Sequence, residues 1–268
     1  MAASAVITSL TQHWTLIWRL AQRDIEARYA GSFLGLIWPL VNALAMLILY
    51  TFMFGLVFKA RWGIGFDQSL VDFALVLFAG LIAFNFFADV VARAPGLVIE
   101  NEVYVKKVVF PLTILPWVAV IHAGFNAMIA LSVLLVAVLA SKSGLSFSVL
   151  AVPVIAVPLV LFSLSLAWVL AALGVFVRDL KHVVSLGLNA LMFLSPLFYP
   201  LEVLPEGLRA WIAWNPMTMI VHALREAIIY GQWPDLGAVA VLTLFAWIFA
   251  ALALAAFERA KKGFADVL

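Results

Sequence analysis

The sequence predicts an all-α membrane protein: six transmembrane helices, an N-terminal amphipathic helix in the interface, and two short outer-side helices of re-entrant or gate type before the last span. Three observations carry this. Hydrophobic residues make up 66% of the 268 residues and charged residues 11%, whereas a soluble domain carries about 25% charge. Mean hydropathy is +1.15. Six stretches are long and apolar enough to cross a bilayer core, which takes about 20 residues as a helix, and backbone amides left unpaired in lipid force such crossings to be helical.

The first periodic segment, 9–30, is not a span. Leu10, Trp14, Ile17, Trp18, Ala21, Ile25 and Tyr29 recur at helical spacing, with Arg19, Gln22, Arg23 and Glu26 on the other face. This predicts a helix lying in the interface or packed on another subunit, and both can hold together. Spans are predicted at 33–58, 73–91, 111–140, 149–177, 183–201 and 236–257, with kinks at Pro153 and Pro158. The connector 93–110 is charged and too long for a simple turn, and 100–107 has the composition for about two helical turns. Segment 201–235 is broken by prolines and carries Glu202, Glu206, Arg209, Arg225 and Glu226, which makes a full crossing costly. Two short helices at 205–230 fit it better. Six spans place both termini on one side. Eleven of the sixteen Lys and Arg then fall on that side, so the termini are expected to be cytoplasmic.

Several function classes fall away. Net charge is only +2, so nothing draws the chain to nucleic acid, and residues 1–10 lack a signal-peptide pattern. No cysteine is present, which excludes thiolate metal sites. There is no phosphate loop of the Gly-rich type and no His-Glu-x-x-His; no catalytic or metal-ligating residue is assigned. Asp89 lies about one turn from the inner end of its span, too shallow for the mid-membrane carboxylate of a proton carrier. His122 and Asn126 share one helix face and mark either a substrate path or an interhelical hydrogen bond. Asn42, Asn85 and Asn189 are read the same way. Aromatic residues are abundant, and Phe33, Trp38, Tyr50, Phe54, Phe193, Phe198 and Tyr199 are candidates to line a route for sugar rings, or else to anchor at interfaces.

Several motifs together resemble the membrane subunit of ABC-2 type transporters, in particular the exporters of O-antigen and capsular polysaccharide. They are Arg23-Asp24-Ile25, Arg28-Tyr29, Leu34-Gly35 and Trp38-Pro39; then Asn101 through Lys106-Lys107 to Phe110-Pro111, followed by Ile114-Leu115-Pro116; then Ser195-Pro196, Tyr199-Pro200, Leu204-Pro205, Trp214-Asn215-Pro216, Arg225 and Gly231. The resemblance implies a homodimer in the bacterial inner membrane, joined to two copies of a separate ATPase that binds the ATP and Mg; no cofactor is expected on this chain. It implies a cytoplasmic gate at Arg23, Arg28, Tyr29, Leu34, Gly35 and Arg93, where the arginines either attract an anionic lipid headgroup or serve as ordinary positive-inside anchors. It implies a coupling helix around Glu100, Asn101, Glu102, Tyr104, Lys106 and Lys107, a periplasmic gate at 205–230, and a lipid-linked polysaccharide as cargo. Teichoic acid, lipo-oligosaccharide or drug export remains an alternative, as does an intramembrane lipid- or sugar-modifying enzyme, although no acid–base or metal cluster at one depth supports the latter.

Overall fold

The computed structural model describes residues 2–53, 70–107, 110–141 and 144–268, and among them every regular element is helical. In chain order these are α1 (Ala2–Thr11), α2 (Trp14–Tyr29), α3 (Trp38–Tyr50), α4 (Leu70–Arg93), α5 (Glu102–Lys107), α6 (Leu115–Ala140), α7 (Val152–Phe176), α8 (Leu180–Leu194), α9 (Glu206–Ala213), α10 (Pro216–Ile228), α11 (Leu236–Ala260) and α12 (Phe264–Val267). Among the described residues, four helical stretches are long and apolar enough to cross a membrane: Val71–Gly96, Leu112–Ala140, Phe147–Phe176 and Leu236–Val267. Trp38–Met53 and Leu180–Leu194 are apolar but shorter.

The expected spans differ from these helices at identifiable places. The first begins at Trp38 rather than 33, because a single 3-10 turn occupies Gly35–Ile37; Phe54 and the rest of its expected outer end lie outside the described residues. Expected span 183–201 is a helix of 15 residues ending at Leu194, roughly 22 Å long. It stops where Ser195 turns extended (ψ 141°), as the residue before a proline prefers. The expected interface helix 9–30 is two helices. Ser9 and Thr11 donate their hydroxyls to the carbonyls of Val6 and Ile7, a side-chain competition that disfavours continuation, and His13 leaves helical geometry at φ −119°, ψ 18°. Pro153 lies in the first turn of α7, where its missing N–H costs nothing and it makes no kink; Pro158 is inside the helix.

The core is a helical bundle centred on α4. This helix packs on α6, α7, α8 and α10, while α7 and α11 form the most extensive helix pair. Trp168 of α7 is fully buried and its indole N–H donates to the Thr113 carbonyl at 3.0 Å, fixing α7 to the entry of α6. Asp235 caps α11 by accepting from the Gly237 and Ala238 amides, and Asn215 caps α10 by accepting from Met217 N, each ahead of an apolar helix that would otherwise expose orphan N–H groups. α2 lies across α6 with Ile17 and Ala21 fully buried, and it turns Trp14 and Trp18 outward as a stacked pair with centroids 6.0 Å apart. The predicted amphipathic face is therefore shared: its aliphatic part seats on the bundle and its indoles face outward, where an interface would hold them.

Candidate functional site

At the end of the bundle where α2 crosses α4 and α6, four charged or titratable side chains meet. Asp24 of α2 accepts from Arg93 Nη2 at 2.7 Å. His122 of α6, almost fully buried, brings Nδ1 to 3.0 Å from the same carboxylate. On its other side Nε2 of His122 is 2.9 Å from Arg28 Nη1. Burial alone would push the Asp24 carboxyl up, but His122 and Arg93 outweigh it and hold the group at about 2. Arg93 keeps its Nη1 buried with no hydrogen-bond partner among the described residues. The junction ties the crossing helix to two spans through one carboxylate.

Of the expected gate residues, Arg28 and Arg93 belong to this cluster and Arg23 is exposed away from it. Leu34 is half-buried, and Gly35 adopts φ +50° with its N–H received by Ser32 Oγ, a backbone state that favours glycine at this turn. Tyr29 is in α2, and its side chain lies outside the described ones. Asp24, quoted in the sequence only as part of a motif, is the hub. The signal that pointed to it was His122: a histidine in an apolar span needs a polar partner.

The polar residues read separately from the sequence converge beside this junction. Asn42 of α3, Asn85 and Asp89 of α4, and Asn126 of α6 line one cleft of about 350 Å³ with Arg28 at its edge and Phe78 and Phe86 on its walls. Asn189 is not among them.

The connector 93–110 is structured and anchored. A turn at Ala94–Gly96 is buried, a second at Ile99–Asn101 follows, and α5 completes the two turns expected from the sequence. Asn101 donates to the Leu97 carbonyl, and Tyr104 stacks on Phe110 at 4.4 Å. Glu102 and Glu100 are exposed, and Lys181 of α8 pairs with Glu100 at 3.0 Å. Lys106 and Lys107 end α5, with side chains outside the described ones. The buried turn presses on α7 so closely that a Cβ at Gly174 would collide with the Pro95 main chain. Phe264 of α12 is fully buried against Phe176 and Phe257, and α12 also packs on α5, so the C-terminal turn shares this end of the molecule.

At the far end, α10 is mostly buried between α4 and α7 and carries Arg225, 5% exposed. Its guanidinium donates to the carbonyls of Val76 (3.0 Å), Pro196 (2.8 Å) and Leu197 (2.9 Å). The same arginine that argued against a crossing thus closes the break after α8, and Asn215 Nδ2 adds a bond to Ser195 Oγ. Among the described residues the candidate aromatics fall into two groups. Phe193 and Phe198 pack at 6.3 Å and Tyr199 donates to the Phe193 carbonyl at 2.7 Å. Phe33 is fully exposed, Trp38 exposed and Tyr50 half-buried, on the other flank of α4.

Comparison with known proteins gives a consistent set of relatives. A family model described as ABC-2 type transporter matches residues 15–229. An O-antigen export system permease protein of Myxococcus xanthus is 29% identical, covering 97% of this chain and 98% of its own. A protein of the same description from Klebsiella pneumoniae is 26% identical over 93% of both chains. A polysialic acid transport protein of Escherichia coli is 21% identical over 90% of this chain and 91% of its own.

Proposed function

Because this chain belongs to the ABC-2 type transporter family, we propose that it is the membrane-spanning permease of an ATP-driven exporter that carries a lipid-linked polysaccharide, an O-antigen or capsular glycan, outward through a bacterial inner membrane. The observation that carries this reading is the end-to-end similarity to an O-antigen export permease, covering 97% of the chain. A likeness confined to a few helices would speak only for the fold.

In this reading α3, α4, α6, α7, α8 and α11 are the six spans, and α8 is completed by the turn that Arg225 fastens. α9 and α10 are the outer-side gate elements. Two copies enclose the route, because a hydrated glycan cannot dissolve in hydrocarbon, and two copies of a separate ATPase bind the ATP and Mg. The connector supports this division of labour. It is charged on its outer side, it packs on α7 without a gap at Gly174, and its first turn continues α4 into Arg93. A push on α5 would therefore reach α7 through the Ala94–Gly96 turn and reach α2 through Arg93 and Asp24. Arg28 and Arg93 put positive charge at this end of the bundle, which would favour an anionic headgroup there.

The test is genetic and biochemical. Deleting the gene in a glycan-producing strain without a paralogue should strand polymer in the cytoplasm, and restoring this chain with its ATPase should return it to the surface. Normal surface glycan in the deletion strain would reject the reading.

A further inference from the structure

The cleft beside α4 has a lining that the export reading leaves unused, and the role inferred for it rests on that reading. α4 is the most enclosed long helix. Between Phe73 and Val91 only Asn85 is exposed, and only Ile82, Ala88 and Asp89 are partly so. Ile82, Asn85 and Asp89 succeed one another at spacings of three and four, which places them on one face. The one accessible stripe of a central apolar helix thus carries an amide and a carboxylate. Asn42 and Asn126 face it from α3 and α6. A carboxylate and amides presented to lipid are costly, so this cleft holds water or a polar occupant.

Its chemistry narrows the occupant. The carboxylate accepts hydrogen bonds from neighbouring hydroxyls, and the amides both donate and accept. Phe78 and Phe86 supply apolar ring surface suited to a C–H face. Arg28 and Asp89 offset each other, so the cleft favours neither a bare anion nor a bare cation. Its volume of about 350 Å³ falls in the range of small-molecule sites, about 300–1,000 Å³. The combination fits a neutral, hydroxyl-rich ring. We propose that this cleft between α3, α4 and α6 is a sugar-binding site that holds part of the cargo glycan. It is distinct from the aromatic residues of α3 and α8. Asn85 and Asp89 are its principal hydrogen-bonding groups.

The absence of native cysteine makes the test clean. Ile82→Cys places one thiol in the cleft and leaves Asn85, Asp89, Asn42 and Asn126 in place. The full complex with its ATPase is reconstituted, and the thiol is titrated with a small water-borne methanethiosulfonate reagent. Labelling is compared with no addition, with lipid-linked glycan extracted from the producing strain, and with sugar-free undecaprenyl phosphate. The glycan should slow labelling roughly fivefold or more, equivalent to about 1 kcal/mol; the sugar-free lipid should not, and adding Asp89→Ala should abolish the protection. Equal labelling with and without glycan would overturn the proposal. So would equal protection by the sugar-free lipid, which would make this a lipid site, or disulfide formation between two Ile82→Cys chains, which would make it a contact between copies. Wild-type export is measured in parallel: export without protection refutes the cleft alone, whereas no glycan export by the wild type refutes the reading beneath it.

Discussion

Asp24 shows how one carboxylate adds a polar tie to a helix already seated on the bundle by Ile17 and Ala21. Its pKa of about 2 against the ordinary 3.8 means that the packed state favours the ionised form. The anchoring it provides is complete above about pH 4 and is lost as pH falls through about 2, leaving the neutral range untouched. With the side chain 32% exposed, the shift is worth about 1–2 kcal/mol after allowance for solvent screening. Asp24→Asn should therefore loosen α2 at pH 7, raising amide hydrogen exchange in α2 roughly 5- to 30-fold over wild type, with no matching change in α10. Arg225 is the opposite case, a buried cation that donates to three main-chain carbonyls. Arg225→Met strands three of them, each costing about 1–3 kcal/mol, and Arg225→Lys lacks the fork needed to reach all three. Both variants should melt lower in detergent, Met by at least ~5 °C. Neither cluster was legible in the sequence as a cluster: Asp24 and Arg93 are 69 residues apart, and Arg28 and His122 are 94 apart. What could be read was the need for partners, since His122 and Arg225 interrupt apolar surroundings. Gly80 was a quieter signal, because a Cβ there would come within 2.9 Å of the Arg225 guanidinium.

At the scale of elements, the connector and α7 form a tight joint on which coupling would depend in the proposed reading, and two contacts within it differ sharply in weight. Gly174 meets Pro95 main chain, which cannot yield without moving the turn. Lys181 and Glu100 meet in solvent, with side chains 51% and 61% exposed, where an ion pair is worth at most about 1 kcal/mol. Gly174→Ala should separate the connector from α7 and cut ATPase-dependent export severely while the ATPase still binds. Lys181→Ala should change stability by less than about 0.5 kcal/mol and leave export nearly intact. Equal effects of the two would disprove this ranking, with export rate and ATPase co-purification as the readouts. The long helices were legible because apolar length is itself the signal. The two turns at 100–107 and the pair of short helices near 205–230 were legible from composition and proline placement. The ends were not. The stop at Leu194 depends on Ser195-Pro196 being fastened by Arg225, and the break between α1 and α2 depends on hydroxyls turning back on their own helix. Aromatic content gave no indication of which rings would meet, since exposure is set by packing around α4 rather than by residue type.

For the whole molecule, the contacts sort the chain into two ends, and that sorting gives the charge argument a structural form. The Arg93–Asp24 and Lys181–Glu100 pairs, together with Phe264 against Phe176, gather α2, the connector, the start of α8 and the C-terminal turn at one end. Ser146 donating to the Gly231 carbonyl and Ser148 to the Ala227 carbonyl gather the entry of α7 and the segment after α10 at the other. The first end holds most of the Lys and Arg, so the positive-inside rule predicts that it faces the cytoplasm. This orientation can be checked without reference to cargo. In intact cells a membrane-impermeant maleimide should label Trp233→Cys, at an exposed position, and should miss Lys262→Cys until the membrane is opened. The cysteine-free background means any signal comes from the introduced thiol. Labelling of both in sealed cells would break the two-ended arrangement, and the reverse pattern would invert the orientation, placing the connector where no ATP-hydrolysing partner could reach it.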